Sequence, residues 1–112
     1  MEPLDWSALR ENCAGDESLV NEVLELFRGE AEALVGDVGA AVKAGDALAV
    51  KRSAHRIKGA LVSLGARPST EAARALEVCG GSGDLAAAPA LLAQLENEIS
   101  RLLRVISLPV AA

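Results

Sequence analysis

Apolar residues recur every three to four positions through most of this chain, a spacing typical of amphipathic α-helices. The longest stripe runs from residue 20 to residue 42, about six helical turns. Its members are Val20, Val23, Leu24, Phe27, Ala31, Leu34, Val38, Ala41 and Val42. Alternation with a period of two, which would indicate strands, is nearly absent. The pattern therefore predicts an all-α protein in which each helix buries one side.

Capping residues divide the first half of the chain into three predicted helices. A short first helix is expected at about residues 5–13, and Asp16 suits the N-cap of the long second helix. Gly45 suits the left-handed C-cap of that second helix. Asp46 would then cap a third helix over residues 47–64.

The second half of the chain predicts two further helices separated by a loop. Pro68 suits the first turn of a fourth helix, because a proline there removes no helical hydrogen bond. Residues 80–83 read Gly-Gly-Ser-Gly, which indicates a loop. Asp84 is expected to cap a fifth helix that carries Pro89 near its first turn.

Helices joined by short connections pack as antiparallel neighbours. The predicted fold is therefore an antiparallel up-down four-helix bundle with a short extra N-terminal helix. With 112 residues, the chain is expected to form one domain over residues 1–112. The bundle is predicted at about residues 16–106, followed by a frayed tail at residues 107–112.

Charge and cysteine content argue against several classes of function. The net charge of −5 disfavours nucleic-acid binding. Two distant cysteines, Cys13 and Cys79, and one histidine make no set of metal ligands. No apolar run is long enough to span a membrane, and the acidic residues 1–16 do not resemble a signal peptide. We therefore expect a cytoplasmic protein that binds no metal, cofactor, membrane or nucleic acid.

Positive charge is concentrated in and just after the third predicted helix. Residues 47–70 contain no Asp or Glu. The basic residues of this stretch are Lys51, Arg52, Arg56, Lys58 and Arg67. Basic residues on a helix often form no more than a solvated face, so their meaning depends on the residues beside them.

The single histidine, His55, lies in the third helix on the side opposite the apolar stripe. Successive side chains of an α-helix are about 100° apart, which places Ile57, Leu61 and Leu64 at about 180° to 240° from His55. A lone histidine among apolar residues is often a core residue. Here the stripe faces the core, so His55 is predicted to face solvent.

Six other residues of the third helix fall within about 60° of His55. They are Lys58 and Gly59, together with Leu48, Lys51, Arg52 and Val62. Lys58 lies one turn after the histidine and can reach a group attached to the imidazole. Gly59 costs stability in a helix interior, which suggests that something must approach the histidine closely. We expect the remaining four to form a partner-binding patch.

This arrangement favours phosphoryl-group chemistry at His55. A neutral imidazole is a nucleophile near neutral pH, and its phosphoryl adduct is itself a reactive donor. Flanking cations stabilise the dianionic group. The chain has neither a phosphate-binding glycine loop nor an evident acid cluster for magnesium. The other catalytic groups would therefore have to come from a partner.

One stretch of the third helix resembles the signature of histidine-containing phosphotransfer (HPt) domains. Residues 54–59 read Ala-His-Arg-Ile-Lys-Gly, and residues 64–66 read Leu-Gly-Ala. Leu-Glu follows at residues 76–77 and Gly-Asp at residues 83–84, before a long amphipathic helix. The resemblance extends over nearly the whole chain.

The resemblance implies a phosphorelay intermediate. His55 matches the phosphorylated residue, which the family modifies at the imidazole nitrogen remote from the backbone. Lys58 matches the lysine that stabilises the phosphoryl group, and Gly59 matches the glycine that admits the partner. The implied partners are a hybrid sensor kinase and response-regulator receiver domains, whose aspartate exchanges the phosphoryl group and which bind the magnesium ion. The chain is expected to be a monomeric carrier without kinase or phosphatase activity of its own.

Other functions remain open on the sequence alone. A sensor-kinase dimerisation hairpin also presents a histidine on a helix, but it usually has an acid directly after that histidine and a proline a few residues later. Here Arg56 follows, and the next proline is Pro68. A helical docking module without chemistry also fits the bundle. An independent enzyme is disfavoured, because no serine or carboxylate in the readable pattern pairs with His55.

Overall fold

The computed structural model describes residues 2–107, whose regular structure is entirely helical. The helices are α1 (Trp6–Asn12), α2 (Glu17–Ala44), α3 (Ala47–Leu64), α4 (Arg67–Ser82) and α5 (Ala88–Ser107). Helices α2 to α5 form a ring in which each packs on its two neighbours, and α1 lies against α2 and α3. This is the predicted four-helix bundle with a short extra N-terminal helix. The predicted tail lies outside the described residues, except for Ser107 at the end of α5.

The ends of α1, α2 and α3 follow from their capping residues. Asp5, Asp16 and Asp46 each accept a hydrogen bond at the side chain from the backbone N–H three residues later. Each bond satisfies a donor that the first helical turn leaves unpaired. Gly45 and Gly65 adopt left-handed backbone conformations, with φ of 66° and 74°, and end α2 and α3. The predicted bounds of α3 are confirmed.

The buried side of α3 is the predicted apolar stripe. Its buried residues are Val50, Ala54, Ile57, Leu61 and Leu64. They pack in an aliphatic core with fully buried leucines of α1, α4 and α5. Full burial of one Leu or Ile side chain stabilises the fold by about 1.5–3 kcal/mol, so the rotation of α3 about its axis is strongly determined.

The predicted loop at residues 80–83 is wrong, because α4 continues through the two glycines to Ser82. Gly80 is buried against the first turn of α3. A Cβ atom at this position would lie 2.5 Å from the backbone nitrogen of Lys51 and 2.7 Å from the carbonyl oxygen of Ala47. The glycine thus serves close packing of two helices, which outweighs its low helix propensity.

Asp84 does not cap α5, which begins four residues later at Ala88. A helix capped at Asp84 would press the ring of Pro89 against the carbonyl of Leu85, one turn earlier. A start at Ala88 places Pro89 in the first turn, where its missing N–H costs nothing. The Asp84 carboxylate instead accepts a hydrogen bond from the backbone N–H of Ala86 at 3.0 Å, within the connecting turn.

Helix α1 closes the end of the bundle at which α3 terminates. The backbone N–H of Asp5 donates to the carbonyl of Gly65 at 3.0 Å, and Asn12 Nδ2 donates to the carbonyl of Ser63 at 3.1 Å. Leu9 is completely buried, whereas Trp6 is half-buried. Over residues 2–107, none of the helices has the length and hydropathy that crossing a membrane would require.

Candidate functional site

His55 lies in the middle of α3 and points away from the core. Its side chain is 69% exposed, whereas Ala54 and Ile57 beside it are completely buried. The structure therefore places the imidazole in solvent, as the helical angles predict. The surrounding turn of α3 is held by the buried stripe, so a solvent-facing group is carried on a rigid element.

Glu77 of α4 contacts both His55 and Lys58. The Nδ1 atom of His55 and the Oε2 atom of Glu77 are 2.5 Å apart. Lys58 Nζ donates to the other carboxylate oxygen, Oε1, also at 2.5 Å. The Glu77 side chain is 18% exposed and the Lys58 side chain 21% exposed. One carboxylate thus connects the imidazole to the lysine at the junction of α3 and α4.

The contact with Glu77 favours the imidazole tautomer that is protonated on Nδ1. The hydrogen bond from Lys58 is the main cause that lowers the pKa of Glu77, and the contact with His55 lowers it further, against an opposing effect of partial burial. An ionised carboxylate can only accept hydrogen bonds, so the proton in the contact with His55 resides on Nδ1. The lone pair of the neutral ring is then on Nε2, the nitrogen remote from the backbone.

The depressed pKa of Glu77 predicts a specific loss of stability in acid. A carboxyl group whose pKa is lower in the folded than in the unfolded state stabilises the fold above its unfolded pKa, about 4.3 for Glu. That contribution is lost as the pH falls through the folded-state pKa. We expect the free energy of unfolding of the wild type to fall more between pH 6 and pH 3 than that of Glu77→Gln. Urea titrations at the two pH values measure this difference, and parallel losses would contradict the prediction.

Gly59 is exposed on the same side of α3 as His55. A Cβ atom built on Gly59 would meet no atom within 4 Å, so packing within the chain does not require a glycine there. Gly80 differs, because a Cβ atom there would clash with backbone atoms of α3. The open space at Gly59 is available to a molecule that approaches the histidine.

The four residues of the predicted partner-binding patch all lie on the surface. Leu48 and Val62 are each 53% exposed, and Lys51 and Arg52 are exposed as well. Lys51 and Arg52 also line a shallow depression together with His55 and Glu77. We call these four residues, Leu48, Lys51, Arg52 and Val62, the docking face.

Glu77 is the site residue that the sequence reasoning missed. The pair Leu76 and Glu77 matched the family signature, but nothing in α4 alone assigns a partner to the acid. Leu76 is completely buried, so the residue after it lies at the border of the buried side of α4. Antiparallel pairing of α3 and α4 then brings that border beside His55. Within residues 2–107, no three His, Cys, Asp or Glu side chains are grouped as metal ligands.

Comparisons with known proteins identify the family and the fold of this chain. The family model of the Hpt domain matches residues 22–105. The chain is similar to the crystal structure of histidine-containing phosphotransfer protein B (HptB) from Pseudomonas aeruginosa PAO1. The two share 30% sequence identity with a TM-score of 0.86, over 93% of this chain and 90% of that chain. No curated protein matches. The chain belongs to the Hpt domain family, whose members typically carry phosphoryl groups rather than act as kinases.

Proposed function

We propose that this protein is a phosphorelay intermediate that accepts a phosphoryl group on Nε2 of His55 and donates it again. The observation that carries the proposal is an exposed imidazole whose other nitrogen, Nδ1, contacts a carboxylate. That contact directs the lone pair of the ring to Nε2 and towards solvent. Exposure allows a partner to reach the ring, as a carrier without a catalytic pocket of its own requires.

The phosphoryl donor is an aspartyl phosphate of a receiver domain. The Nε2 lone pair attacks the phosphorus, a nitrogen–phosphorus bond forms, and the bond from phosphorus to the aspartate oxygen breaks. The aspartate leaves as a carboxylate, so no proton has to be transferred to it. The ring retains its proton on Nδ1 and becomes positively charged, and the adjacent Glu77 carboxylate stabilises that charge. Donation to the next aspartate reverses these steps.

Lys58 is proposed to stabilise the phosphoryl group once it is attached. An ammonium group has three N–H donors, and the contact with Glu77 occupies one of them. The other two remain for phosphoryl oxygens. The same carboxylate that orients His55 therefore also holds the lysine beside it, partly ordered before the phosphoryl group arrives.

The proposed partners are a hybrid sensor kinase and receiver domains, which dock on the docking face over His55. The magnesium ion belongs to the receiver domain. We further propose that the chain acts as a cytoplasmic monomer without kinase or phosphatase activity, and that residues 1–112 are one functional domain with its bundle at about residues 16–106.

Basic residues near His55 predict that association with a receiver domain weakens with salt. Lys51, Arg52 and Arg56 are exposed, and within residues 2–107 they form no salt bridge. A receiver's phosphorylation pocket is acidic, so these positive charges attract it. Dissolved ions screen this attraction beyond the Debye length, which is about 8 Å at physiological salt and shorter at higher salt. Titration calorimetry at 50 and 500 mM NaCl should show a higher Kd at the higher salt. A Kd independent of salt would leave Leu48 and Val62 as the main contacts.

The proposed function is tested by incubating the protein with a phosphorylated receiver domain and following the label. Acid-labile, base-stable label on the wild type indicates a phosphohistidine. Binding of several receivers without any transfer of label would instead support a docking module without chemistry. A dimer in solution would contradict the proposed monomer.

A further inference from the structure

Gly80 is a point of close approach between α4 and α3. The residue is buried in the last turn of α4. A Cβ atom there would lie 2.5 Å from the nitrogen and 3.0 Å from the Cα atom of Lys51, and 2.7 Å from the carbonyl oxygen of Ala47. All three neighbours are backbone atoms of α3, which cannot turn aside as the end of a flexible side chain would. The absence of a side chain at Gly80 is therefore required for the observed separation of the two helices.

This contact lies one helical turn from the functional side chains on both helices. Glu77 precedes Gly80 by three residues in α4, and Lys51 precedes His55 by four residues in α3. Residues three or four positions apart lie on the same face of a helix. The Gly80 contact and the contacts of Glu77 with His55 and Lys58 therefore belong to the same helix–helix seam.

We propose that Gly80 is a positioning residue, whose missing side chain sets the separation of α3 and α4 at which Glu77 reaches both His55 and Lys58. An alanine here must move the backbones apart by about 1 Å to restore an ordinary van der Waals contact. The contacts from Glu77 to His55 and to Lys58 are both 2.5 Å long. An increase of about 1 Å takes both to the limit of hydrogen bonding or beyond it.

Gly81 supplies a matched control in the same turn of the same helix. A Cβ atom on Gly81 would meet only Cδ of Lys51, at 3.9 Å, which is an ordinary contact. Both Gly→Ala substitutions gain helix propensity, roughly 1 kcal/mol in a helix interior. The two variants thus differ in the approach to α3 and in little else.

The first measurement is nuclear magnetic resonance of the two side chains, which does not depend on the proposed function. Nitrogen shifts of the imidazole give the fraction of neutral ring protonated on Nδ1, and a carboxyl-carbon titration gives the pKa of Glu77. We expect Gly80→Ala to reduce the Nδ1-protonated fraction and to raise the pKa of Glu77 towards its ordinary value. Gly81→Ala should give the wild-type spectra. Unchanged spectra in Gly80→Ala, or equal changes in both variants, would overturn the proposal.

If Gly80→Ala alone unfolds the protein, the test can be made in a variant that a second substitution stabilises. Gly36 is exposed in α2 and a Cβ atom there meets nothing within 4 Å, so Gly36→Ala adds helix propensity without a clash. The spectra are then compared between Gly36→Ala chains with and without Gly80→Ala. If the combined chain does not fold, Gly80 serves the fold as a whole, and the positioning role is overturned.

The second measurement is the rate of phosphoryl transfer from a receiver domain. Unlike the first, it rests on the proposed function. We expect Gly80→Ala to lower the rate about tenfold, since displacement of a positioned group by about 1 Å is costly. In a Glu77→Ala background the same substitution should lower it less than about twofold, because the group it positions is absent. Equal losses in both backgrounds, or no loss in either, would overturn the role of Gly80 in transfer. A wild type that accepts no label would refute the proposed function, and the spectra would still decide whether Gly80 positions Glu77.

Discussion

Replacing His55 by Gln is expected to abolish phosphoryl acceptance and to change the free energy of unfolding by no more than about 0.5 kcal/mol. The first effect follows because Gln offers no nucleophilic nitrogen. The second follows because the His55 side chain is 69% exposed and takes no part in the core. Glu77 also keeps its contact with Lys58 in this variant, so no buried charge loses its partner.

Two experiments on the same preparation check this prediction. Label transfer from a phosphorylated receiver measures acceptance, and urea unfolding followed by circular dichroism measures stability. Label that persists on His55→Gln would show that another residue is phosphorylated. A loss of several kcal/mol would show that the imidazole contributes to the packed core, contrary to its exposure.

The direction of His55 could be predicted from sequence because burial is dominated by a local repeat. Ile57, Leu61 and Leu64 recur with the period of a helix, and nearly all of their stabilisation comes from removal from water. A helix in the ring of a four-helix bundle buries one side, so α3 cannot bury those three side chains and the imidazole together. The side of α3 on which His55 lies therefore follows from the helical repeat of α3 alone. The positions of the neighbouring helices are not needed to predict it.

The end of α4 could not be predicted in the same way. Gly80 and Gly81 have the lowest helix propensity of any residue but proline, so local reasoning favours a loop there. The preference is reversed by a contact with Lys51, about thirty residues earlier in the chain. A glycine required for close packing of two helices and a glycine that ends a helix look alike until the partner helix is placed.

The contact of Glu77 with His55 likewise depends on how α4 is placed against α3. Twenty-two residues separate the two side chains, and whether they touch depends on the register of α3 against α4. Periodicity gives the rotation of each helix but not the displacement of one along the other. An acid at the border of a buried stripe can serve as a solvated charge or as the partner of a catalytic group, and only the packed pair of helices distinguishes these roles.

Replacing Gly59 by Trp is expected to lower phosphoryl transfer from a receiver domain roughly a hundredfold, since the indole would hold the partner more than 1 Å from its productive position. The variant should fold at least as well as the wild type. Nothing lies within 4 Å of a Cβ atom at Gly59, and Trp has a higher helix propensity than Gly. Gly36→Trp is the matched control, because Gly36 is equally open and exposed but lies in a groove between α2 and α5.

A small phosphoryl donor separates obstruction of docking from damage to the histidine. Phosphoramidate needs no protein interface, so it should label Gly59→Trp, Gly36→Trp and the wild type at similar rates. Only transfer from the receiver should fail, and only in Gly59→Trp. If phosphoramidate labelling of Gly59→Trp fell as well, the substitution would have altered His55 or Lys58 directly. If receiver transfer stayed at the wild-type rate, close approach over Gly59 would not be part of docking, and the partner would have to reach Nε2 across Lys51 and Arg52, where the depression beside the imidazole lies.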